Sequence, residues 1–470
     1  MKDYWSFNDF YPAKSRSISH YYVMPKKINH PFILLFSLLI TFYGYWLMTF
    51  WPGILGEDSL GILLEVLDPE KQNSGKPAFW YYFVRVFYEG HQRAEVPIGA
   101  MLLMSAAILA RILAWCWDQK IYKTTIFLLI FVCLTPHLIF FAGSLYPDGI
   151  YSIAIAGLLF EIWLIARAKK AQATSLFIIA LTLPISAFAR PNGIIFLIPV
   201  LILIFLVERR SKILLSVILL SWTALMAAGM NAHRSASHGA IYPMAIFETV
   251  NFLQPRPMNL WTASPRLSPL TVETLEKNHP LETYIKNYDP DYWDTLNFKP
   301  DGPRVMSIPK ADRKIITKEF LRYNVWHNIP KFMGSRVNIF LASAFADGGL
   351  PGFGYAKHVL DFVKSESIFR KFNLKTSEDF LFSMFDISYT YRWIFWTPFL
   401  GIALLIWAIR QGFNLRDIPI LLISLPMLIQ LGAIFVFSIA AEYRYLLPFF
   451  TLSLVLLPIF AIRKIEPSKT

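Results

Sequence analysis

Charged side chains and cysteines are both scarce in this sequence. Asp, Glu, Lys and Arg make up 16% of its 470 residues, whereas 55% are hydrophobic, and the mean hydropathy is +0.44. So little charge is not typical of a soluble globular domain and predicts a membrane protein. Cysteine occurs only at Cys116 and Cys133, both within apolar segments. We expect both to be packing residues, and no disulfide framework is predicted.

Long apolar runs are what the sequence has instead. Charge-poor runs of roughly 15 to 21 residues recur along the chain, and each is long enough to suggest a membrane-spanning helix. The chain is therefore predicted to be an all-α polytopic membrane protein. The first 30 residues are polar, aromatic and basic, so they do not predict a cleavable signal peptide. Ten spans are predicted, at about 31–51, 98–116, 124–142, 149–166, 175–189, 193–207, 213–231, 392–409, 418–438 and 445–462.

Basic residues are unevenly distributed between the predicted loops. The net charge of +13 could suggest nucleic acid, but short basic clusters alternate with apolar runs, as in loops that face the anionic cytoplasmic leaflet. Both termini are therefore predicted to be cytoplasmic, and no nucleic-acid partner is expected. The predicted divisions are a cytoplasmic segment at 1–30, seven transmembrane helices at 31–231 with a first outer loop at 52–97, a large mixed or helical periplasmic loop domain at 232–390, and three further helices with a short tail at 391–470.

Some parts of this plan are less regular. Residues 58–67 and 314–345 have amphipathic patterns and are expected to lie on the membrane surface, the second being interrupted at Pro330. The short fifth and sixth spans could instead form one broken hairpin. No internal repeat is evident, which disfavours a transporter built from duplicated halves.

Unusual polar residues fall on the outer side of this topology. Asp58 follows the first span, Asp148 precedes the fourth and Arg190 ends the fifth. Glu442 and Arg444 lie between the ninth and tenth spans. Carboxylates so close to a bilayer are costly unless they face water, a partner or a substrate. Since each residue lies at a helix end, the acids and arginines can meet in one cavity at the outer interface.

Such a set suits the transfer of a group from a phosphate-bearing lipid. A carboxylate can accept the proton of an attacking hydroxyl, and an arginine can hold the departing phosphate through paired donors. Asp58 is the predicted base, and Arg190 or Arg444 is predicted to hold the phosphate.

Each assignment has a plainer alternative. Asp58 could cap the helix that it begins, and Asp148 could be an ordinary turn residue. Arg190 could be a helix end whose side chain reaches the membrane surface. Glu442 and Arg444 could form only a local ion pair.

Other polar residues are expected to be structural. Arg111 and Glu161, near cytoplasmic span ends, should extend to the membrane surface, and His137 should be a packing histidine. No metal site is predicted, because the polar residues of the large loop lack metal-binding spacing. Those residues are His233, His238, Asp289 and Asp291.

Several short motifs together resemble the GT-C class of integral membrane glycosyltransferases, which use polyprenyl-phosphate sugars. They are Gly-Glu-Asp-Ser at 56–59, Pro-Asp at 147–148, Arg-Pro-Asn-Gly at 190–193 and Glu-Tyr-Arg-Tyr at 442–445, with a large outer loop after the seventh span. The length, the topology and the short loops look like those of the serotype-converting O-antigen glucosyltransferases.

The resemblance implies roles for individual residues. Asp58 would be the catalytic base, although Glu57 precedes it in the same motif and competes for the role. Asp148 would assist the acceptor or a divalent cation, Mg or Mn. The donor phosphate would be bound by Arg190, Arg444, Glu442 and Tyr445. The large loop would help to select the acceptor.

The chain is thus predicted to be a ten-span enzyme of the bacterial inner membrane, with its active site facing the periplasm. It would transfer a hexosyl group, with glucose expected, from an undecaprenyl-phosphate sugar to a lipid-linked glycan, with inversion at the anomeric carbon. Its partners would be that donor, that acceptor and membrane lipids. Two other functions stay open. A lipid-linked oligosaccharide flippase would place charges along a mid-bilayer path, and an O-antigen polymerase or ligase would not need an acid directly after the first span.

Overall fold

The computed structural model of the chain describes residues 30–233, 241–255, 266–346, 348 and 352–465. These residues form an all-α fold and contain no β-strand. Most of the predicted cytoplasmic segment at 1–30, together with His238 and the end of the predicted tail, lies outside the described residues. Apolar runs form helices because a membrane interior offers no water to the backbone, so each helix must pair its N–H and C=O groups internally.

The helices of the first half of the chain precede residue 234. They are α1 (His30–Thr49), α2 (Glu57–Leu67), α3 (Ala78–Tyr88), α4 (Glu95–Asp118), α5 (Tyr122–Leu134), α6 (Pro136–Ala142), α7 (Pro147–Ala168), α8 (Ala173–Phe188), the 3₁₀ helix Pro191–Phe196, α9 (Leu197–Leu206) and α10 (Arg209–Ala232).

The helices of the second half follow residue 240. They are α11 (Ile241–Leu253), α12 (Pro269–Asn278), α13 (Leu281–Lys286), α14 (Asp294–Asn297), α15 (Lys310–Glu319), α16 (Val325–His327), α17 (Ile329–Ala344), α18 (Tyr355–Val363), α19 (Lys375–Thr390), α20 (Arg392–Phe395), α21 (Phe399–Asn414), α22 (Ile418–Phe437), α23 (Leu447–Thr451) and α24 (Ser453–Ile465), with 3₁₀ helices Val305–Ser307 and Tyr443–Tyr445 and a π-helix Phe320–Asn324.

Six helices in the described part of the chain are long and apolar enough to cross a membrane. The number becomes seven if α5 and α6, which meet at a bend of 64°, count as one broken span. Shorter apolar helices occupy the places of the fifth, sixth and tenth predicted spans. Each predicted span therefore coincides with a helix or a run of helices, but the number ten is not confirmed.

Helix α7 lies at the centre of the fold. Its most apolar 18-residue window is completely buried, and it contacts α4, α8, α22 and α23. Apolar residues surround the whole helix rather than one stripe, as expected for a helix enclosed by others. Helix α7 carries two acidic residues, Asp148 in its first turn and Glu161 about two turns before its last residue.

The predicted position of Arg111 and Glu161 at the membrane surface is wrong. Arg111 Nε on α4 lies 2.8 Å from Glu161 Oε1 on α7, Arg111 Nη2 donates to Glu161 Oε2 at 3.5 Å, and both side chains are buried. A charge removed from water is stabilised by an opposite charge at this distance. The pair therefore joins two central helices instead of reaching for the surface.

The region predicted as a large outer loop folds into helices, of which α11 to α17 form what we call the loop domain. Its main core includes Tyr242, Ile246, Leu275, Tyr284 and Leu296. Helices α18 and α19 also lie in the predicted loop region but do not join the loop-domain core: α18 contacts α2, and α19 contacts α1 and α6.

A fully buried ion pair connects the loop domain to the end of α22. Arg336 on α17 donates to the carboxylate of Glu248 on α11, and also to the carbonyl oxygens of Val436, at 3.2 Å, and Ser438. The backbone that follows α22 runs beside the loop domain, where Ala441 N–H donates to the Asp291 carbonyl at 2.8 Å. The stretch 438–446 is thus held from the loop-domain side.

The two amphipathic stretches form helices with different surroundings. Residues 57–67 form α2, whose apolar residues Ile62, Leu63 and Val66 are buried; the helix contacts α3 and α18. The stretch 314–345 is divided among several helices and breaks at Asn328, whereas Pro330 lies in the first turn of α17. Helix α17 leaves an apolar stripe exposed at Met333, Val337 and Leu341, and Phe345 directly after the helix continues it.

Candidate functional site

Six charged side chains from separate parts of the chain meet at the Asp148 end of α7. We call them the polar cluster. Its members are Asp58 on α2, Lys76 in the loop between α2 and α3, Asp148 on α7, Arg190 between α8 and the 3₁₀ helix, and Glu442 and Arg444 between α22 and α23. Three of the side chains are cations and three are carboxylates, so their formal charges balance.

Asp58 lies in the first turn of α2 and not at its cap. The helix begins at Glu57 with Gly56 as the N-cap residue, so the alternative that Asp58 caps the helix is wrong. Its carboxylate instead accepts from the guanidinium of Arg444 and, at 2.5 Å, from Lys76 Nζ. A negative charge in the first turn is also favoured by the helix dipole. A Cβ on Gly56 would collide with the Tyr146 hydroxyl, so glycine is needed for this close approach.

The two cations keep Asp58 ionised. Burial acts to raise the pKa of its carboxyl, but the charges and hydrogen bonds of Lys76 and Arg444 outweigh burial and hold the pKa well below its usual range. Burial also lowers the pKa of Lys76, an effect that Asp58 opposes and Arg444 reinforces. Asp58 is therefore a carboxylate at neutral pH and a poor proton acceptor while both cations remain beside it.

Asp148 and Arg190 form the second ion pair of the cluster. Asp148 lies in the first turn of α7, and its Oδ1 accepts from the Arg190 guanidinium. The side chain of Asp148 is 1% exposed, whereas that of Arg190 is 20% exposed. Asp148 Oδ2 is buried with no hydrogen-bond partner among the described residues. A buried acceptor without a donor is costly, so this oxygen is available to a ligand hydroxyl.

The Arg-Pro-Asn-Gly motif explains where Arg190 points. Arg190 has an extended backbone and precedes the 3₁₀ helix, so the chain reverses between α8 and α9. A Cβ on Gly193 would collide with the Ser186 carbonyl oxygen, so glycine permits the tight reversal. The guanidinium lies 5.0 Å from the centre of the Tyr445 ring, a cation–π arrangement, as well as beside Asp148. Arg190 does not extend to the surface as a simple helix end.

Glu442, Arg444 and Tyr445 come from the short stretch between α22 and α23. Arg444 donates from Nε to Glu442 Oε2 at 2.7 Å, and the Tyr445 hydroxyl also hydrogen-bonds Glu442. The Arg444 guanidinium lies between aromatic rings, 5.3 Å from that of Tyr146 and 5.6 Å from that of Tyr445. Because Arg444 also bonds Asp58, the Glu442–Arg444 contact is part of a larger cluster and not only a local pair.

Glu57 lies apart from the cluster. Its side chain is exposed and hydrogen-bonds the Tyr355 hydroxyl of α18. Successive residues on a helix point about 100° apart, so only one of two adjacent acids can face a given neighbour. In this structure that acid is Asp58.

Sequence reasoning missed Lys76. It lies in a polar loop without a recognisable pattern, and the loop is fixed by contacts that only the fold reveals. Glu65 on α2 accepts from the backbone N–H of Ser74, at 3.1 Å, and from its hydroxyl. The other oxygen of Glu65 contacts His233 Nε2 at 2.8 Å. Glu65 therefore fixes the position of the loop in which Lys76 lies beside Asp58.

Sequence reasoning also missed Asp294 of the loop domain. Trp293 N–H donates to the Ile439 carbonyl at 3.2 Å, which brings the start of α14 beside the stretch that carries Glu442. Desolvation and the carboxylates of Glu442 and Asp58 raise the pKa of Asp294, against the lowering effect of Arg444. The side chain remains reachable from solvent. Asp294 thus adds a carboxylate on the loop-domain side of the cluster.

An apolar groove of about 350 Å³ begins at the polar cluster, and we call it the arginine groove. Its polar lining includes Arg190, Arg444 and Tyr445. Its apolar lining comes from the 3₁₀ helix and from the last turns of α22, and includes Ile194, Ile195, Ala433, Ile434 and Phe437. One continuous space therefore has guanidinium groups in one part and a hydrocarbon lining in the rest.

No group of three or more His, Cys, Asp or Glu side chains suited to a metal ion occurs among the described residues. Neither a family model, nor a characterised protein, nor a solved structure matches this chain. The GT-C resemblance therefore stays a prediction from the motifs.

Proposed function

We propose that the chain is a membrane glycosyltransferase of the GT-C type. It transfers a hexosyl group, with glucose expected, from an undecaprenyl-phosphate sugar to a lipid-linked glycan such as O-antigen. The observation that carries the proposal is the arginine groove, in which Arg190 and Arg444 meet a hydrocarbon lining next to two carboxylates, Asp58 and Asp148. A prenyl phosphate has the same division, an anionic group attached to an apolar chain.

The groove supports a specific orientation of the donor. The prenyl chain lies along Ile194, Ile434 and Phe437, and the phosphate lies between Arg190 and Arg444. Arginine binds phosphate through a planar fork of donors, which suits this position. Lys76, beside Asp58, supplies a third cation to the phosphate. The sugar then lies against Asp58 and Asp148, where Asp148 Oδ2 accepts a hydrogen bond from a sugar hydroxyl.

The transfer is a direct displacement. The acceptor hydroxyl oxygen forms a bond to the anomeric carbon as the bond from that carbon to the phosphate oxygen breaks. The electron pair of the broken bond stays on the phosphate, and the hydroxyl proton passes to Asp58. The anomeric configuration inverts.

The balanced charges of the cluster support this step. The donor phosphate carries one negative charge as a diester and two when it leaves as a monoester. When Arg444 and Lys76 turn from Asp58 toward the phosphate, the pKa of Asp58 rises, since those cations are what hold it low. Once protonated, Asp58 no longer attracts the two cations, so they stay beside the phosphate as it gains its second charge. Electrostatic stabilisation of the leaving group and activation of the base are thus linked.

The proposed placement has ten spans in a bacterial inner membrane, with both termini in the cytoplasm. The short basic turns support this orientation. The polar cluster and the loop domain then face the periplasm, where lipid-linked glycans are modified. The bent α5–α6 pair would count as one span, and α8 and α9 would cross as short helices.

The flippase alternative fits the described residues less well. A translocation path needs charged groups along the middle of the bilayer that are free to meet the cargo. Arg111 and Glu161, which lie within spans, bond each other instead. A polymerase or ligase would not account for Asp58 between two cations, directly after the first span.

The test is sugar transfer from a polyprenyl-phosphate donor in membranes that carry Asp58→Asn. Asparagine keeps the shape but cannot accept the proton, so transfer should fall by about 10²- to 10⁴-fold while the donor still binds. Glu57→Gln is the matched control, because Glu57 is adjacent but faces Tyr355; its activity should equal that of the unchanged protein.

Insertion and donor binding are measured for both variants. If the Asp58→Asn variant still transfers sugar, Asp58 is not the base. If only Glu57→Gln loses activity, the base is Glu57. If the unchanged protein transfers no sugar from any polyprenyl-phosphate donor, the glycosyltransferase proposal fails as a whole.

A further inference from the structure

A second apolar space lies on another side of the fold, along the bend between α5 and α6. It consists of two adjoining cavities of about 420 and 240 Å³, which share Leu134, Pro136 and Met384 in their linings. We call the two cavities together the bend crevice. Proline at residue 136 cannot donate a helical hydrogen bond, which accounts for the break that opens the space.

No side chain of the polar cluster lines the bend crevice. Its outer walls expose large apolar side chains, with Leu134 54% exposed and Ile387 61% exposed. Helix α19 forms one wall through Met384 and Ile387, and α1 closes the far end through Trp46. Exposed apolar walls at the level of membrane-spanning helices face lipid, so a lipid chain can enter from the side.

The crevice and the arginine groove lie on opposite sides of one short stretch, Tyr443–Tyr445. Arg444 and Tyr445 line the groove. Tyr443 points to the other side, where its hydroxyl contacts Nε2 of His137 at 3.0 Å, and His137 lines the crevice. Phe450 on α23 lines the same cavity. Two apolar openings therefore reach the same stretch of polar residues from different sides.

His137 gives the crevice a polar site at its inner end. The residue is completely buried, and its Nδ1 has no hydrogen-bond partner among the described residues. A buried ring nitrogen without a partner is costly. A polar group at the end of a bound lipid chain would relieve that cost. His137 is buried as expected for a packing residue, and it also offers one ring nitrogen to a ligand.

We propose that the bend crevice binds the prenyl chain of the lipid-linked acceptor. The inference rests on the proposed function, in which two lipid-borne substrates react at one cluster. Two prenyl chains would compete for one groove, whereas two openings on either side of Tyr443–Tyr445 hold both at once. The acceptor glycan then reaches the cluster from the loop-domain side, beside Asp294.

The first experiment fills each space with an indole ring and measures the two Michaelis constants separately. Met384→Trp fills the bend crevice, because Met384 lines both of its cavities. It should raise the KM for the lipid-linked acceptor at least tenfold and leave the KM for the donor unchanged. Ala433→Trp fills the arginine groove, so it should raise the KM for the donor and leave the KM for the lipid-linked acceptor unchanged.

Ser383→Trp is the control for α19. Ser383 is adjacent to Met384 but is exposed and lines neither cavity, so both constants should stay unchanged. A soluble acceptor glycan without a prenyl chain should react equally well with Met384→Trp and with the unchanged protein. Equal loss with both acceptors would overturn the inference, since the substitution would then act on something other than the chain.

A second experiment does not depend on the folding of a variant. An acceptor with a photoreactive diazirine in its prenyl chain is irradiated with the unchanged protein, and the labelled peptides are identified. Label on α5, α19 or α20 is expected, and label on α22 would overturn the inference. If excess phospholipid prevents labelling as well as excess unlabelled acceptor does, the crevice binds bulk lipid, and the inference is also overturned.

The two proposals fail in different ways. A protein that transfers no sugar contradicts the proposed function. A protein that transfers sugar normally with Met384→Trp, at an unchanged acceptor KM, contradicts only the assignment of the bend crevice.

Discussion

The two ends of α7 carry the same chemistry in different surroundings. Near one end Asp148 pairs with Arg190, and near the other Glu161 pairs with Arg111. Both acids are almost completely buried, at 1% and 0% exposure. Arg190, however, lines a groove and lies over a tyrosine ring, whereas Arg111 is 8% exposed and lies on the central helix α4.

The comparison shows that burial and pairing do not identify a functional charge by themselves. A buried ion pair joins two helices at a cost in desolvation that its attraction offsets only in good geometry. What distinguishes the Asp148 end is access: an apolar space reaches the arginine, and one carboxylate oxygen has no partner among the described residues. We therefore expect one end of α7 to serve transfer and the other to serve stability.

Among the changes that test the two ion pairs of α7, the largest effect is expected from Arg190→Gln. Glutamine can still donate one hydrogen bond to Asp148 but carries no charge, so transfer should fall by about 10²- to 10³-fold. The measurement is transfer per inserted molecule in membranes. Arg111→Gln is the control at the other end of α7 and should leave transfer per folded molecule unchanged. A similar loss in both variants would remove the distinction between the two ends.

The free energy of unfolding should depend more on the Arg111–Glu161 pair than on the Arg190–Asp148 pair. Arg111→Met leaves Glu161 buried without its partner, which should lower the free energy of unfolding by about 3 to 5 kcal/mol. The double variant Arg111→Met with Glu161→Met should recover most of that loss, because no charge stays buried. Thermal unfolding in detergent measures both. If the double variant is no more stable than the single one, the cost lies in packing and not in charge.

A smaller effect is expected in the loop that carries Lys76. Ser74→Ala removes the hydroxyl that bonds Glu65, so Lys76 is positioned less well and the donor KM should rise about tenfold, the equivalent of one hydrogen bond to a charged group. The turnover number should stay nearly constant. Gln72→Ala, an exposed position in the same loop, is the control. A change in turnover without a change in KM would contradict a positioning role.

The smallest expected effect is a displacement of the pH profile. Asp58 has a lowered pKa and is ionised above it, so kcat/KM should be maintained down to acidic pH and fall only as the pH drops through that pKa. Lys76→Met removes one of the two cations that lower the pKa, so the acidic limb should move to higher pH. Lys71→Met, at an exposed lysine paired with Asp68, should not move it. An unmoved limb in Lys76→Met would show that Lys76 does not control Asp58.

Hydropathy and charge were sufficient to bring much of the cluster together. Four of its residues lie at helix ends: Asp58, Asp148, Arg190 and Arg444. The predicted topology places those ends on one side of the membrane, so their side chains are expected to lie near one another. Their exact contacts could not be predicted, because the rotation of α2 that selects Asp58 over Glu57 depends on packing against distant segments. The plainer reading of Asp58 as a cap failed for the same reason.

Other features depend on pairs of residues that no local pattern relates. Lys76 is placed by Glu65, and Glu65 is itself held by His233 from a distant helix. The pairing of Arg111 with Glu161 is a second example, because 50 residues separate the two positions and no local pattern relates them. Span number is a further case, since α8 and α9 are too short to count by length and α5 is broken by Pro136.

The bonds from Arg336 to the end of α22 have a consequence for how such a protein can diversify. Arg336, paired with Glu248, donates to the backbone carbonyls of residues 436 and 438, which any sequence at those two positions supplies. Asp291 and Trp293 hold the same stretch through further backbone hydrogen bonds. If the loop domain selects the acceptor, as the proposed function expects, its residues away from these contacts can vary while Glu442 and Arg444 keep their positions.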